Sequence, residues 1–322
     1  MKEAALYERL EARGAGCRIC RRRCLIPEGD SGFCRTRLNK GGKLYTLDYG
    51  MVSTLAVAPI EKKPLFHFYP GSKWLSLGTL GCNFRCPGCQ NWEIAHARVC
   101  KSGEKKTGRA AEYLPAQEVI LMAKDRGCKG LSFTYNEPTV WFEYTLDCSK
   151  LAKEHDLLTN YVTNGFITNE ALDEIGPYLD AFRVDVKGFS EKFYREFLGL
   201  SDFRGILEAT KRARFKWKMH VEIITNIIPG FSDDESRLRG IAEWIANELG
   251  PATPWHVTRF VPHLKLSHIP YTPIDTLERA RKIGLDCGLM FVYLSSSTAH
   301  FFTHLEKKIL VSPYTLFVEF RY

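Results

Sequence analysis

From residue 74 onward, apolar runs rich in β-branched and aromatic residues recur at regular intervals and alternate with stretches of helical period. The runs fall at 74–80, 130–136, 159–164, 180–187, 219–228 and 255–261, and the helical patterns between them include 115–126, 139–155, 169–179 and 233–249. Strand followed by helix, repeated, is the mark of a parallel sheet built from βα units. Six such units predict an α/β fold, a partial TIM-type (βα)6 barrel left open on one side. The helix at 233–249 is expected to start after Ser232, because Asp233, Asp234 and Glu235 then occupy its first turn, where the helix dipole favours negative charge.

Ahead of this pattern the chain changes character. Residues 1–16 read as a short helix ending at Gly14 or Gly16, and residues 17–40 carry turn formers (Pro27, Gly29, Asp30, Gly32) with little periodicity. Short strand-like runs at 44–47 and 52–57 lead into Pro59-Ile60-Glu61-Lys62-Lys63-Pro64. The division expected is a cysteine-rich N-terminal segment over 1–70, the barrel over 71–293 and an atypical tail over 294–322.

Parallel barrels place functional residues at the C-terminal ends of their strands. The first strand ends in Gly81-Cys82-Asn83-Phe84-Arg85-Cys86-Pro87-Gly88-Cys89-Gln90-Asn91-Trp92, with cysteines at C-x3-C-x2-C spacing. Iron–sulfur clusters normally take four protein thiolates. Three from one short loop imply an iron left open, which is what a metal site keeps when it must bind substrate or cofactor. A three-ligand zinc site, or cysteines that only pack, are the plain alternatives. The second strand ends in Thr134-Tyr135-Asn136-Glu137-Pro138, where Glu137 could accept charge-assisted bonds from an ammonium group or simply precede a helix that starts with proline. The third ends in Val162-Thr163-Asn164-Gly165, small and polar enough for close ligand approach or for an ordinary strand-to-helix turn. On the fourth, alternation puts Asp185 and Lys187 on one face, paired with each other or addressed to a ligand. The fifth ends in the apolar edge Ile227-Ile228-Pro229-Gly230, and the sixth carries His256, Arg259 and His263.

Composition narrows the class. In 322 residues the hydrophobic share is 45% and the charged share 25%, ordinary for a globular protein. No apolar run approaches the ~20 residues that span a bilayer, and the opening Met1-Lys2-Glu3-Ala4-Ala5 has no signal-peptide core, so a cytoplasmic protein without membrane attachment is expected. Seven of the 11 cysteines fall in two tight groups, Cys82/Cys86/Cys89 and Cys17/Cys20/Cys24/Cys34, which in such a chain favours metal binding over disulfides. The earlier group, C-x2-C-x3-C-x9-C, has four thiolates and suits a closed site for zinc or a second iron–sulfur cluster that would fold a coreless segment. Cys100, Cys128, Cys148 and Cys287 are scattered and read as buried apolar residues. The net charge is +8, much of it early (Arg18, Arg21, Arg22, Arg23, Arg35, Arg37, Lys40, Lys43). A basic face steers nucleic acid, an acidic electron-transfer protein or an anionic substrate; few aromatics accompany it to stack bases, which argues against nucleic acid.

One ordered set of strings carries a resemblance: Glu61-Lys62-Lys63-Pro64-Leu65-Phe66-His67-Phe68-Tyr69-Pro70-Gly71, the cysteine loop, Tyr135-Asn136-Glu137-Pro138, Val162-Thr163-Asn164-Gly165 and Asp185-Val186-Lys187-Gly188. Together, over about residues 17 to 293, they resemble the radical S-adenosylmethionine (radical SAM) member of the AmmeMemoRadiSam system, a relative of pyruvate formate-lyase activating enzyme. The resemblance implies a [4Fe-4S] cluster on Cys82, Cys86 and Cys89, with S-adenosylmethionine chelating the open iron. Glu137, the one residue kept of the family's Gly-Gly-Glu motif, would then hold the methionyl amino group. Thr163, Asn164, Asp185, Lys187 and His263 would lie around the cofactor, and the 227–230 edge would pack on adenine. The implied chemistry is delivery of an electron, cleavage of the S–C5′ bond and hydrogen abstraction by the resulting 5′-deoxyadenosyl radical, with no catalytic side-chain acid or base. Implied partners are an acidic electron donor of flavodoxin or ferredoxin type and other proteins of the same system. The substrate could be a protein that receives a glycyl radical, a small molecule or peptide, or tRNA; a non-catalytic metal-stabilised module would leave the barrel-rim residues idle. The resemblance also predicts Gly-Asn and a further cysteine pair after Phe291-Val292-Tyr293. Here Leu294-Ser295-Ser296-Ser297 and a cysteine-free tail follow, the expected mark of a frameshift, truncation or local divergence.

Overall fold

The structure, a computed structural model, describes residues 1–99 and 111–295. Its centre is one sheet of eight strands: β1 (Thr54–Pro59), β2 (Lys73–Gly78), β3 (Gly130–Phe133), β4 (Leu158–Thr163), β5 (Ala181–Asp185), β6 (His220–Ile227), β7 (Trp255–Arg259) and β8 (Val292–Ser295). They lie side by side in chain order. β1 pairs antiparallel with β2, and every later pair is parallel. The six expected strands are all present. The expected six parallel units leave out β8 and the antiparallel leader β1, whose run at 52–57 is expected as a strand of the 1–70 segment rather than of the barrel. The ladder does not close between β1 and β8 among the described residues, so the barrel is partial.

Among the described residues, seven helices of at least seven residues pack outside: α1 (Ala116–Asp125), α2 (Phe142–Glu154), α3 (Asn169–Ile175), α4 (Glu191–Leu198), α5 (Arg204–Phe215), α6 (Glu235–Trp244) and α7 (Ile274–Asp286). The 139–155 pattern divides into a 3-10 turn, Pro138–Trp141, and α2. The 169–179 pattern gives α3 and a 3-10 turn, Gly176–Tyr178, where Pro177 has no N–H to continue the α-helix. α6 is capped by Asp234 rather than Ser232: its carboxylate accepts the Arg237 N–H at 3.0 Å. Ser232 is buried and donates its side-chain hydrogen bond elsewhere, to the Asn226 carbonyl.

The helix expected over residues 1–16 does not form. Strands Lys2–Glu3, Tyr7–Arg9 and Ala15–Cys17 stand there with a 3-10 turn at Glu11–Arg13. Helices this short are marginal on their own. Pairing Tyr7–Arg9 against Ala15–Cys17 satisfies the backbone instead, and the Ala5 N–H reaches Glu143 Oε1 at 2.8 Å.

The string 61–71 closes the N-terminal end of the barrel. Ile60, Leu65 and Phe68 are buried with Trp74 and Ala181, and the half-buried Leu158 packs against them; these last three stand at strand starts. Glu222, fully buried on β6, accepts four hydrogen bonds: Phe66 N (3.0 Å), His67 N (2.8 Å), His220 Nε2 (2.8 Å) and His256 Nε2 (2.6 Å). His256 therefore belongs to this plug and not to the ligand rim, a correction to its expected place. Arg259 is likewise committed elsewhere, with Nε on the Thr272 carbonyl (2.9 Å) and its guanidinium over Tyr271. Cys128 and Cys148 are buried core residues, Cys287 is half-buried, and Cys100 and the tail from 296 lie outside the described residues. No described helix is long and apolar enough to cross a membrane.

Candidate functional site

The loop after β2 begins with Gly81 at φ +83°, and any Cβ there would lie 2.6 Å from the Cys34 carbonyl oxygen and 2.5 Å from Thr36 Cγ2. Only glycine fits both demands. Asn136 then clamps the loop to β3: its Oδ1 accepts the Thr79 N–H (3.1 Å) and its Nδ2 donates to the Gly81 carbonyl (2.7 Å). Asn91 donates to the Tyr135 carbonyl (2.6 Å), and Tyr135 itself sits at φ +74°. A left-handed bulky residue is uncommon and concentrates at functional turns.

Asn164 ties the loop to β4. Its Nδ2 donates to Asn83 Oδ1 (2.7 Å) and lies 4.0 Å from Cys82 Sγ. Beside it, Glu137 is buried and nearly saturated. Oε1 accepts Thr139 N (3.1 Å), Thr139 Oγ1 (2.6 Å) and Thr163 Oγ1 (2.6 Å), while among the described residues Oε2 accepts only Asn164 N (2.8 Å). The capping role is thus real: Glu137 caps the turn before α2 and stitches the ends of β3 and β4 together. Burial raises its carboxyl above the ordinary range, against the pull of those donors.

From β5, Asp185 and Lys187 reach the same loop. Lys187 Nζ stands 3.7 Å from Asp185 Oδ1, and Arg183 Nη1 lies 2.9 Å from Asp185 Oδ2. Burial opposes the Lys187 charge, but Asp185 and the Cys86 thiol outweigh it and hold its pKa above the ordinary value. Burial would raise Asp185, yet Arg183 and Lys187 bring it below its ordinary range. Arg183 joins this pair, on the same alternating face of the strand as 185 and 187. His263 sits where the 263–266 turn meets the loop, since Lys265 N donates to the Pro87 carbonyl (3.0 Å); its own Nδ1 faces the Pro262 carbonyl. Ile228 packs with Phe260 and Leu266, and those two rest against Gly88.

The site thus gathers Cys82, Cys86, Cys89, Glu137, Thr163, Asn164, Asp185, Lys187 and His263 around one loop. Asn83, Asn136, Thr139 and Arg183 join them without any signal beyond position. Among the described residues no three thiols, imidazoles or carboxylates gather as they would round a single metal ion. A cluster asks for something wider, because each thiolate holds a different iron. Burial pushes all three thiols up, Cys89 to about 11, so they become anionic only when metal takes them up. Lys187 beside Cys86 and Cys89 offsets the charge that results. Asn83 Nδ2 is buried with no partner among the described residues, a donor waiting for an acceptor next to Cys82. These features fit an iron–sulfur cluster with a polar ligand.

The four earlier cysteines are also brought together. Cys17, Cys20, Cys24 and Cys34 line one small cavity with Ile19, Arg22, Ile26, Arg37 and Val140.

Comparison with known proteins agrees with this geometry. Residues 77–240 match the model of the radical SAM superfamily. An uncharacterized protein of Methanocaldococcus jannaschii is 39% identical over 300 residues, 93% of this chain and 86% of that protein. The pyruvate formate-lyase-activating enzyme of Clostridium pasteurianum is 27% identical over 175 residues, covering 52% of this chain and 67% of that enzyme. A radical SAM methyltransferase from Sphaerobacter thermophilus, 14% identical, superposes with a TM-score of 0.52 over 71% of this chain and 67% of its own, a likeness of fold alone. With its cysteine loop at the head of a partial barrel and the family model running from the end of β2 through β6, the chain belongs to the radical SAM superfamily.

Proposed function

We propose that this protein cleaves S-adenosylmethionine reductively and takes a hydrogen atom from a substrate, in the manner of an activating enzyme. The observation that carries the reading is the convergence of Glu137, Asn164 and Lys187 from three strand ends on the Cys82–Cys89 loop. When bound, the cluster and S-adenosylmethionine supply the one-electron chemistry; the protein's part is to hold them and keep water and stray hydrogen donors away. Cys82, Cys86 and Cys89 hold the cluster, and Lys187 offsets its negative charge. Glu137 Oε2, with one bond where Oε1 has three, keeps room for an ammonium donor such as the methionyl amino group. Thr163 serves indirectly, its hydroxyl spent on Glu137. His263 and the Ile228 edge border the loop on the side where the rest of the cofactor would lie.

The finer reading follows the resemblance: a member of the AmmeMemoRadiSam system, working with its partner proteins in the cytoplasm. The ten described cysteines are all free thiols, which suits a reducing compartment. The early basic stretch suits an acidic flavodoxin or ferredoxin as electron donor. Similarity to activating enzymes favours a second substrate class, a protein that receives a radical; an electron paramagnetic resonance doublet on such a partner after reaction is its signature. The central test is anaerobic reconstitution with iron and sulfide, then dithionite and S-adenosylmethionine. 5′-Deoxyadenosine should form in the native protein and be lost in Cys86→Ala. Its absence from the former, or its persistence in the latter, overturns the proposal.

A further inference from the structure

Cys17, Cys20, Cys24 and Cys34 sit in a part of the chain that the reaction site does not use, and the structure shows three things about them. First, their cavity is walled on further sides by Ile19, Ile26 and Val140 and by the Arg22 and Arg37 side chains. No three described thiols, imidazoles or carboxylates gather as they would round a single zinc ion, whereas a cluster with its own sulfides holds each thiolate on a different iron and so tolerates the wider spacing. Second, a positive charge is in place. Arg37, fully buried beside Cys17 and Cys34, is already paired with Glu143, so the uncommitted charge is Arg22, which lies beside Cys20, Cys24 and Cys34. Arg22 Nη2 is buried without a partner among the described residues, so an anion in this cavity gives it one. Third, this cavity shares a wall with the reaction site. Arg22 Nε donates to the Asn83 carbonyl at 2.5 Å, Arg85 bridges the Cys82 and Phe33 carbonyls (2.7 Å each), and Gly81 lies against the Cys34 carbonyl. The Arg22 guanidinium also stacks on Phe33, 3.4 Å from the ring centre, which fixes its direction.

We propose that these four cysteines bind a second iron–sulfur cluster, with Arg22 as its charge partner and as its mechanical link to the Cys82–Cys89 loop. Gly32 supports it: a Cβ there would stand 3.9 Å from both Cys24 Sγ and Cys34 Sγ, so any larger side chain would enter the space between them. Once the second cluster is in place, Arg22 is held at both ends, and the backbone at Asn83 is held with it.

The test needs no substrate and does not depend on turnover. The full-length chain with Cys82, Cys86 and Cys89 all changed to Ala is reconstituted anaerobically with iron, sulfide and equimolar zinc, then assayed for metal and acid-labile sulfide. About four iron and about four sulfide per chain are expected, with a reducible paramagnetic signal. In the unaltered chain the iron should be about twice that. One zinc without sulfide, or no metal in the triple variant together with only about four iron in the unaltered chain, overturns the proposal. Arg22→Gln tests the link: in the unaltered cysteine background it should shift the resonance of the reaction-site cluster, and an unchanged spectrum would sink that part. A chain that binds the second cluster but makes no 5′-deoxyadenosine would fail the proposed reaction and leave this site standing.

Discussion

Arg37 and Glu143 illustrate how much rests on single side chains here. Both are buried, and two parallel hydrogen bonds of 2.8 Å join them. Arg37→Met strands the Glu143 carboxylate in the interior, which should cost about 3–5 kcal/mol. The double variant Arg37→Met/Glu143→Met should recover most of that, read by denaturant titration of the anaerobic protein. Asp48 shows the opposite electrostatics: burial, with the Glu143 charge adding to it, pushes its carboxyl up to about 7 against the pull of Thr46, Arg37 and a backbone N–H. The folded protein keeps that proton where the unfolded chain, titrating at about 3.9, has lost it. This contribution to stability is therefore full at low pH and falls as pH rises from about 4 to about 7. Asp48→Asn should leave the melting temperature unchanged near pH 4.5 and raise it at pH 8. An equal shift at both pH values would refute the assignment.

At the scale of elements, the loop after β2 and the plug over the strand starts do separable work. Gly81→Ala puts a Cβ into the Cys34 carbonyl in a left-handed backbone. The loop must move, and iron retained at the reaction site should fall to a small fraction while the far end of the barrel is unaffected. Asn136→Ala removes two clamps on the same loop and should act the same way more mildly, at about 1–3 kcal/mol. The plug answers differently. Glu222→Gln leaves at least one of four buried donors unpaired, costing about 1–3 kcal/mol, yet 5′-deoxyadenosine formed per folded molecule should stay near the native value. This follows from the division of a parallel barrel into a stabilising N-terminal end and a reactive C-terminal end.

For the whole molecule, charge and the chain's path matter most. A net charge of +8 predicts that reduction by an acidic donor protein slows as salt rises from low to physiological strength. Reduction by a small chemical reductant should depend on salt far less, and equal slopes for the two would remove the steering argument. The strand ends, the cysteine spacings and the family resemblance were all legible in the sequence, because they are local: alternation, turn residues and short intervals between ligands. The helix expected over residues 1–16 is absent because those residues find strand partners that propensity does not contain. His256 was placed at the wrong end because its partner, Glu222, lies 34 residues away. Asn83, Asn136 and Arg22 carried no pattern of their own; they matter through what folds against them. The sequence by itself carried the family, since the cysteine loop and the ordered strand-end motifs are local facts. Only the tertiary structure decided that Glu137 is first a stitch between two strands, that residues 61–71 are a plug, and that both cysteine groups share one wall. Those are contacts between distant parts of the chain, and no interval along it records them.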